Sequence, residues 1–174
     1  MKKSALITFF AFIAAFITLL AREAISPTAS PQTLPASVYN VVQVVDGDTI
    51  KVEIDGTKQT LRLIGINTPE TVDPRKPVEC FGREASNKAK ELLANQNVKI
   101  VADPTQDERD KYDRLLRYVY LEDGTNFNKL MIEQGYAYEY TYDVPYQYQE
   151  DFKAAQRYAQ QNKLGLWGAT CSQN

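Results

Sequence analysis

Three short segments of the chain place acidic, amide and basic side chains close together. They are Asp46-Gly47-Asp48-Thr49, Asn67-Thr68-Pro69-Glu70 and Asp110-Lys111-Tyr112-Asp113-Arg114. Carboxylate and carbonyl oxygens suit a hard cation such as Ca²⁺, and a further carboxylate could take a proton from water. Arg114 and Arg62 add planar, permanently charged donor groups for phosphate. Together these groups suit metal-assisted attack of water on a phosphodiester.

Each segment also has a simpler structural interpretation. Asp-Gly pairs are common in hairpin turns, a proline turn can end a strand, and a charged loop can be merely solvated. Arg62 could form an ordinary salt bridge. As parts of a site, Asp48 would direct an oxygen at the cation, and Pro69 would restrict the position of Glu70 because proline has a fixed φ.

Composition narrows the possible chemistry. The chain of 174 residues contains no histidine, which excludes Ser-His-Asp and Cys-His catalysis, histidine-ligated zinc and imidazole as a general base. It also has no P-loop and no G-x-G-x-x-G pattern. Acid–base catalysis therefore falls to Asp, Glu, Lys, Tyr or a metal-bound water.

The charge balance argues against a broad clamp on nucleic acid. The formal net charge is −2, from 20 basic and 22 acidic residues. The first 37 residues hold three basic residues and one acidic residue, so the remainder has 17 basic and 21 acidic residues, or −4. Because phosphate neutralisation dominates non-specific affinity, a polynucleotide would be bound locally and with the help of a cation.

The N-terminal segment predicts a location outside the cytoplasm. Lys2 and Lys3 precede an uncharged, mostly apolar run at 5–21, which is near the lower limit for a membrane span. We expect an uncleaved anchor with its N-terminus inside, and a cleaved signal peptide is the alternative. Residues 1–24 would form this hydrophobic segment, 25–37 a Pro/Ser/Thr-rich linker and 38–174 the functional domain.

The two cysteines, Cys80 and Cys171, lie 91 positions apart, which is no zinc-binding spacing. An oxidising compartment would permit a disulfide that ties the end of the chain to the start of a helix. Two buried free thiols are the alternative, because sequence alone does not give their separation in space.

The hydrophobic pattern predicts an α+β fold, a five-stranded OB-type β-barrel with about three helices, preceded by the N-terminal hydrophobic helix. Asp46-Gly47 and Asp55-Gly56 separate the first three strands into a meander. In the last helix, Asp143 would be the N-cap and Tyr158 would lie on the apolar face. The expected strands are 38–45, 49–54, 57–66, 97–102 and 114–121, and the expected helices are 79–94, 126–134 and 143–162.

Five motifs, in order and spacing, resemble the staphylococcal nuclease (thermonuclease) family over residues 38–167. They are V-x-D-G-D-T, R-L-x-G-I-x-T-P-E, F-G-x-E-A, D-x-Y-x-R-x-L-x-Y-V-Y and G-L-W. The resemblance implies a Ca²⁺-dependent endonuclease that hydrolyses phosphodiester bonds of DNA or RNA and leaves 3′-phosphates.

The resemblance also implies a role for each matched residue. Asp48, Asn67 and the Thr68 carbonyl would hold Ca²⁺, with Asp46 behind them or in contact with the waters of the ion. Glu70 would be the general base. On the substrate side, the resemblance implies that Arg62 and Arg114 bind the scissile phosphate and that Lys111 and Tyr112 contact the nucleotide.

The chain departs from the family pattern at two positions. The family's usual aspartate is Asn67 here, so one negative charge is lost and weaker calcium binding or a shifted metal preference is expected. Asp113 stands beside Arg114 where the family often has glycine, which would stiffen the loop.

A run of alternating tyrosines follows the second predicted helix. Tyr136, Tyr138, Tyr140 and Tyr142 would share one face of an extended segment. Core and edge packing is one interpretation, and a stacking platform for bases is the other. The resemblance places a nucleotide-contacting tyrosine in this region, with Tyr140 and Tyr142 equally suitable.

Two other functions fit part of the pattern. An OB-fold module that binds nucleic acid or protein without catalysis would not need Asp48, Arg62, Glu70 and Arg114 together. A cell-surface calcium-binding structural domain explains the carboxylates but not the arginines. Nothing in the sequence indicates an assembly larger than a monomer.

Overall fold

The computed structural model of the protein describes residues 37–71, 77–168 and 171, all within a single unit of the chain, 35–174. The predicted anchor at 5–21 and all of the predicted linker except Ser37 lie outside the described residues. Among the described residues, no helix is both long and apolar enough to cross a bilayer.

Seven strands and three α-helices make up the described part of the chain. The strands are β1 (Val38–Val44), β2 (Thr49–Ile54), β3 (Thr57–Leu63), β4 (Ile66–Asn67), β5 (Asn97–Val101), β6 (Leu115–Tyr120) and β7 (Tyr138–Glu139). The helices are α1 (Gly82–Leu93), α2 (Phe127–Glu133) and α3 (Gln149–Gln161), followed by a 3₁₀ helix at Gly165–Trp167.

Five of the strands close into a barrel in the order β1-β2-β3-β6-β5. Neighbouring strands are antiparallel except β3 and β6, which are parallel. Alternate residues of β2 and β3, such as Val52, Leu61 and Leu63, are buried inside the barrel, and Ala85 and Ala89 of α1 add to the same core. The predicted barrel of five strands with three helices is confirmed.

The third strand is shorter than the sequence predicts. It ends at Leu63 and does not continue to Ile66. The strand is interrupted at Gly65, whose φ is +78°. A Cβ at this position would lie 2.7 Å from the Tyr146 ring. Ile66 then begins β4, which pairs with β7 in a separate two-stranded sheet. The break directs the following turn to the end of the barrel.

The predicted start of the last helix is wrong. Asp143 caps nothing, and α3 begins at Gln149 after Tyr148. The preceding residues instead make tertiary contacts: the Pro145 carbonyl accepts a hydrogen bond from Thr105 Oγ1, and Tyr146 packs against the ring of Phe152.

The predicted apolar face of α3 also differs at one position. Tyr158 is exposed, whereas Ala159 is completely buried. Because consecutive helical residues point about 100° apart, the one-residue difference moves the buried stripe around the helix.

A buried carboxylate fastens the loop after β5 to β6 and to the chain before α3. Asp103 Oδ2 accepts hydrogen bonds from the Tyr118 hydroxyl and from Gln147 N, and Oδ1 accepts from Thr105 N. Burial by itself would raise the pKa of Asp103, but these hydrogen bonds hold it below its usual value.

Candidate functional site

Three loops and the segment after β7 enclose one cavity of about 770 Å³ at the end of the barrel. The loops are the β1–β2 turn, the turn after β4 and the hairpin that leads into β6. All eleven predicted metal, catalytic and substrate residues line this cavity: Asp46, Asp48, Arg62, Asn67, Thr68, Glu70, Lys111, Tyr112, Arg114, Tyr140 and Tyr142.

Asp48 joins two of the loops. Its side chain is nearly buried, with the residue only 7% exposed. Oδ2 accepts hydrogen bonds from Thr68 N at 2.8 Å and from Thr68 Oγ1 at 3.1 Å, and Oδ1 accepts from Thr49 Oγ1 at 3.0 Å. The β1–β2 turn is therefore more than a hairpin connection, because its carboxylate holds a turn 20 residues further along.

A second carboxylate lies in the same corner. Asp46 Oδ1 accepts a hydrogen bond from Asp48 N at 3.0 Å. Burial, with the negative charge of Asp48, raises the pKa of Asp46 to about 6. Between them, a Cβ on Gly47 would lie 2.5 Å from Thr68 Cγ2, so only glycine fits this turn. Two neighbouring carboxylates create a local excess of negative charge that a cation would relieve.

Arg62 lies between the carboxylate of Asp48 and Asn67 at the end of β4 and contacts both. Its Nη1 donates to the carbonyls of Leu63 and Ile66, each at 2.8 Å. Its Nη2 donates to Asn67 Oδ1 at 3.3 Å and lies 3.4 Å from Asp48 Oδ2. The simple salt-bridge interpretation is thus correct in part, but the bridge orients the guanidinium along the cavity wall.

Glu70 lies on the same wall, in the turn that Pro69 restricts. Its Oε1 accepts a hydrogen bond from Thr71 N at 2.8 Å. Its backbone N donates to Glu79 Oε2 at 3.0 Å, and Glu79 N donates back to the Glu70 carbonyl at 3.0 Å. Both the backbone and the carboxylate of Glu70 are therefore tethered.

The charged loop before β6 is ordered by Asp110. Asp110 Oδ2 accepts from Arg114 Nε at 2.7 Å and pairs with Arg114 Nη2 at 2.6 Å. The Arg114 guanidinium lies 5.3 Å from the centre of the Tyr112 ring, and Lys111 Nζ lies 5.1 Å from the same centre. The Tyr112 ring thus makes cation–π contacts with Lys111 and Arg114 at the edge of the cavity.

The four tyrosines after α2 divide into two groups. Tyr140 and Tyr142 line the cavity, with ring centres 6.4 Å apart, and Tyr142 is 72% exposed. Tyr138 instead packs edge-on against Trp167 at 5.4 Å, and Tyr136 packs against Phe81 at 5.5 Å. The packing interpretation therefore applies to Tyr136 and Tyr138, and base stacking by Tyr140 and Tyr142 stays a prediction.

Arg109 also lines the cavity, although it was not among the predicted site residues. Its Nη1 donates to the Asp113 carbonyl at 2.7 Å, and its Nη2 donates to Gln59 Oε1 on β3 at 3.1 Å. Asp113 has φ +63°, the left-handed region that glycine favours, which agrees with the glycine often found there in the resembled family. Arg109 directly precedes the charged segment, and its position was the only available signal.

The donor set in the acidic corner suits a hard cation. The described residues contain no group of three or more Asp, Glu, Cys or His side chains that could hold a metal ion. The corner offers instead two carboxylates, from Asp46 and Asp48, with the Asn67 amide oxygen and Thr68 beside them. Oxygen ligands of this mixed kind are typical of Ca²⁺ sites and unlike zinc sites.

An oxygen-lined corner, a tethered carboxylate and two arginines at one end of a five-stranded barrel define a class of protein, the metal-dependent phosphodiesterases. Residues 60–169 match the family described as staphylococcal nuclease homologue. The chain belongs to the staphylococcal nuclease family, and the predicted resemblance is confirmed.

Several similar proteins carry the names of nucleases. The chain is 44% identical over 129 residues to a thermonuclease of Staphylococcus hyicus, and the match covers 74% of this chain and 75% of the relative. A thermonuclease of Staphylococcus intermedius is 41% identical with the same coverage. Endonuclease YncB of Bacillus subtilis (strain 168) is 37% identical over 126 residues, or 72% of this chain and 59% of the relative. The chain is a hydrolytic nuclease, from a family whose enzymes require metal.

Proposed function

We propose that the protein is a Ca²⁺-dependent endonuclease that hydrolyses phosphodiester bonds of DNA or RNA and leaves 3′-phosphates. The observation that carries the proposal is the meeting of four side chains in one cavity: Asp48, Arg62, Glu70 and Arg114. They come from positions up to 66 residues apart in the chain (114 minus 48). Binding alone would not require this combination of carboxylates and guanidinium groups.

The cation would occupy the acidic corner. Asp48, Asn67 and Thr68 would hold it, with Asp46 behind them or in contact with its waters. When bound there, Ca²⁺ would polarise a phosphate oxygen and help to position the attacking water. Arg62 already lies on this corner through Asp48 and Asn67, so the phosphate would bind between the cation site and the guanidinium.

Glu70 is the general base in this proposal. Its carboxylate takes the proton from the water that attacks the phosphorus. Arg62 and Arg114 donate hydrogen bonds to the phosphoryl oxygens, on which negative charge grows as the transition state forms. Each aimed donor of this kind is worth about 3–4 kcal/mol in the transition state. Because each arginine is paired with a carboxylate, it is held in place before substrate binds.

The remaining residues of the cavity would bind the nucleotide on each side of the scissile phosphate. Lys111 and Tyr112 lie on the same rim as Arg114, and Tyr140 and Tyr142 offer exposed rings near them. Aromatic rings accept any base by stacking, which fits a nuclease that acts on both DNA and RNA.

The proposal is tested with the full-length protein and single-stranded DNA, in the presence of Ca²⁺ or of a chelator. Glu70→Gln should lower kcat by about 10²–10⁴-fold, the usual contribution of a general base. Glu53→Gln is the matched control, because Glu53 is exposed on β2 outside the cavity. It should cleave as the wild type does.

Other outcomes identify the alternative functions. DNA binding without cleavage would support a non-catalytic OB-fold module. Calcium uptake with neither binding nor cleavage would support a structural domain. Cleavage that persists unchanged in the chelator would refute the proposed dependence on Ca²⁺.

We also propose that the enzyme acts outside the cytoplasm as a monomer anchored by residues 5–21, with residues 38–174 as the nuclease domain. The apolar run supports an anchor, and the Cys80–Cys171 disulfide supports an oxidising compartment. N-terminal sequencing of the protein from membrane and culture fractions tests this. A mature N-terminus beyond residue 21 would contradict the uncleaved anchor.

A further inference from the structure

The turn that carries Glu70 is closed by Glu79, nine residues later. Glu79 N donates to the Glu70 carbonyl at 3.0 Å, and Glu79 Oε2 accepts from Glu70 N at 3.0 Å. One bond joins the two backbones and the other joins the Glu79 side chain to the Glu70 backbone, so together they limit the separation and relative orientation of the two residues. The position of Glu70 is therefore tied to that of Glu79.

The start of α1 lies directly against the same turn. A Cβ on Gly82 would lie 2.7 Å from Thr71 Cγ2 and 3.2–3.3 Å from the carbonyls of Pro69 and Glu70. Gly82 N also donates to the Glu79 carbonyl at 3.0 Å. Residues 79–82 thus form a short turn that touches Glu70 from two sides, with no space for a side chain between them.

A disulfide fastens this short turn to the end of the chain. Cys80, next to Glu79, is bonded to Cys171 across 91 residues. The C-terminal segment is itself held to the body of the domain at Leu166, whose N donates to the Gly135 carbonyl at 2.9 Å. Within the segment, Cys171 N donates to the Gly168 carbonyl at 3.3 Å. The bond therefore connects the Glu70 turn to a segment that is anchored elsewhere.

We propose that Glu79 and the Cys80–Cys171 disulfide are positioning elements for Glu70. None of the three residues lines the cavity, so they act through the backbone of the turn and not on substrate. The bond limits how far residues 79–82 can move from the barrel, and the paired hydrogen bonds pass this limit to the carboxylate. The proposal rests on the proposed role of Glu70 as the base.

The test compares four variants of the full-length chain with the wild type. They are Glu79→Ala, Glu79→Gln, the double variant Cys80→Ser/Cys171→Ser, and Glu91→Ala as the control. Glu91 lies on α1, the helix that follows residues 79–82, and pairs only with Lys88 among the described contacts. Activity is measured well below the unfolding temperature of each variant and expressed per folded molecule, so that lost stability does not count as lost catalysis.

We expect losses in kcat with little change in KM. Glu79→Ala removes one hydrogen bond and should lower kcat about two- to tenfold. Glu79→Gln keeps an acceptor oxygen and should recover most of that loss. The double serine variant releases the whole turn and should lower kcat more, up to about 100-fold, as small misplacements of catalytic groups do. Glu91→Ala should match the wild type.

A second measurement separates positioning from general destabilisation. If Glu79 acts through Glu70, adding Glu79→Ala to Glu70→Gln should cause no further loss of activity. If Glu79→Ala lowers activity by the same factor in the wild type and in Glu70→Gln, the proposal is overturned. A double serine variant that is folded and keeps the wild-type kcat would also overturn it. Full activity in Glu70→Gln alone would instead overturn the proposed function.

Discussion

Asn67 stands in the acidic corner, at the position where the family resemblance predicts an aspartate. Its amide oxygen accepts a hydrogen bond from Arg62 and is also one of the proposed cation ligands. The charge of Arg62 is shared with Asp48 at 3.4 Å. The acidic corner therefore holds two carboxylates, one neutral amide and a guanidinium, which is less negative than a site with a third carboxylate.

We predict that Asn67→Asp increases calcium affinity by about tenfold, which corresponds to 1.4 kcal/mol. This gain in binding free energy is smaller than the attraction of roughly 4 kcal/mol between two opposite unit charges 4 Å apart near a protein surface. The gain is smaller because Arg62 offsets part of the added negative charge. The half-saturating Ca²⁺ concentration for cleavage measures the change. Asn97→Asp, which adds the same charge at the exposed first residue of β5, is the control. Equal affinities for wild type and Asn67→Asp would contradict the prediction.

At the scale of elements, α2 positions the break between β3 and β4. Asn128 of this helix is completely buried. Its Oδ1 accepts from Val119 N at 3.0 Å, and its Nδ2 donates to the carbonyls of Ile64 and Arg117 at 2.9 and 3.3 Å. One amide thus bonds to the Ile64 carbonyl just after β3 and to two backbone groups of β6, of which the Arg117 carbonyl also accepts from Ile64 N at 3.0 Å.

We predict that Asn128→Ala lowers the free energy of unfolding by about 3 kcal/mol. Each buried backbone group left without a partner costs about 1–3 kcal/mol, and the variant removes the Asn128 bonds of Val119 N and the Ile64 carbonyl, whereas the Arg117 carbonyl keeps its bond from Ile64 N. Urea denaturation measures the change. Asn162→Ala removes an exposed amide whose one described hydrogen bond goes to the Tyr158 carbonyl at the end of α3, so it should cost less than about 1 kcal/mol. Equal losses for both variants would show that Asn128 has no such role.

At the scale of the whole molecule, the net charge and the cavity wall point to local substrate binding. Four cationic side chains among the described residues line the cavity, and six acidic ones lie beside them. The cations are Arg62, Arg109, Lys111 and Arg114. The domain from residue 38 onward has a formal charge of −4, so it offers no broad basic surface to a polynucleotide.

We predict a shallow salt dependence for binding of single-stranded DNA. With at most four phosphate contacts, the slope of log K against log salt should be no steeper than about −3, since each contact contributes about −0.7. The Glu70→Gln variant with Ca²⁺ allows binding to be titrated between about 50 and 200 mM salt without cleavage. A slope of about −5 or steeper would reveal additional basic contacts and contradict the prediction.

The sequence by itself was sufficient to predict the barrel and the eleven residues that meet in the cavity. Alternating apolar residues and Asp-Gly turns specify the strands locally, because side chains of a strand point to opposite faces. The motifs around Asp48, Glu70 and Arg114 were sufficient to predict the family of the protein. Each motif is a continuous run of residues and can therefore be recognised without the fold.

Only the tertiary structure decided how those residues are held. The break at Gly65 depends on the Tyr146 ring, and the late start of α3 depends on contacts of Pro145 and Gln147 with the loop after β5. The disulfide joins residues 91 positions apart. These features depend on partners distant in the chain, and no local pattern encodes them because their free energy arises only when the barrel brings the partners together.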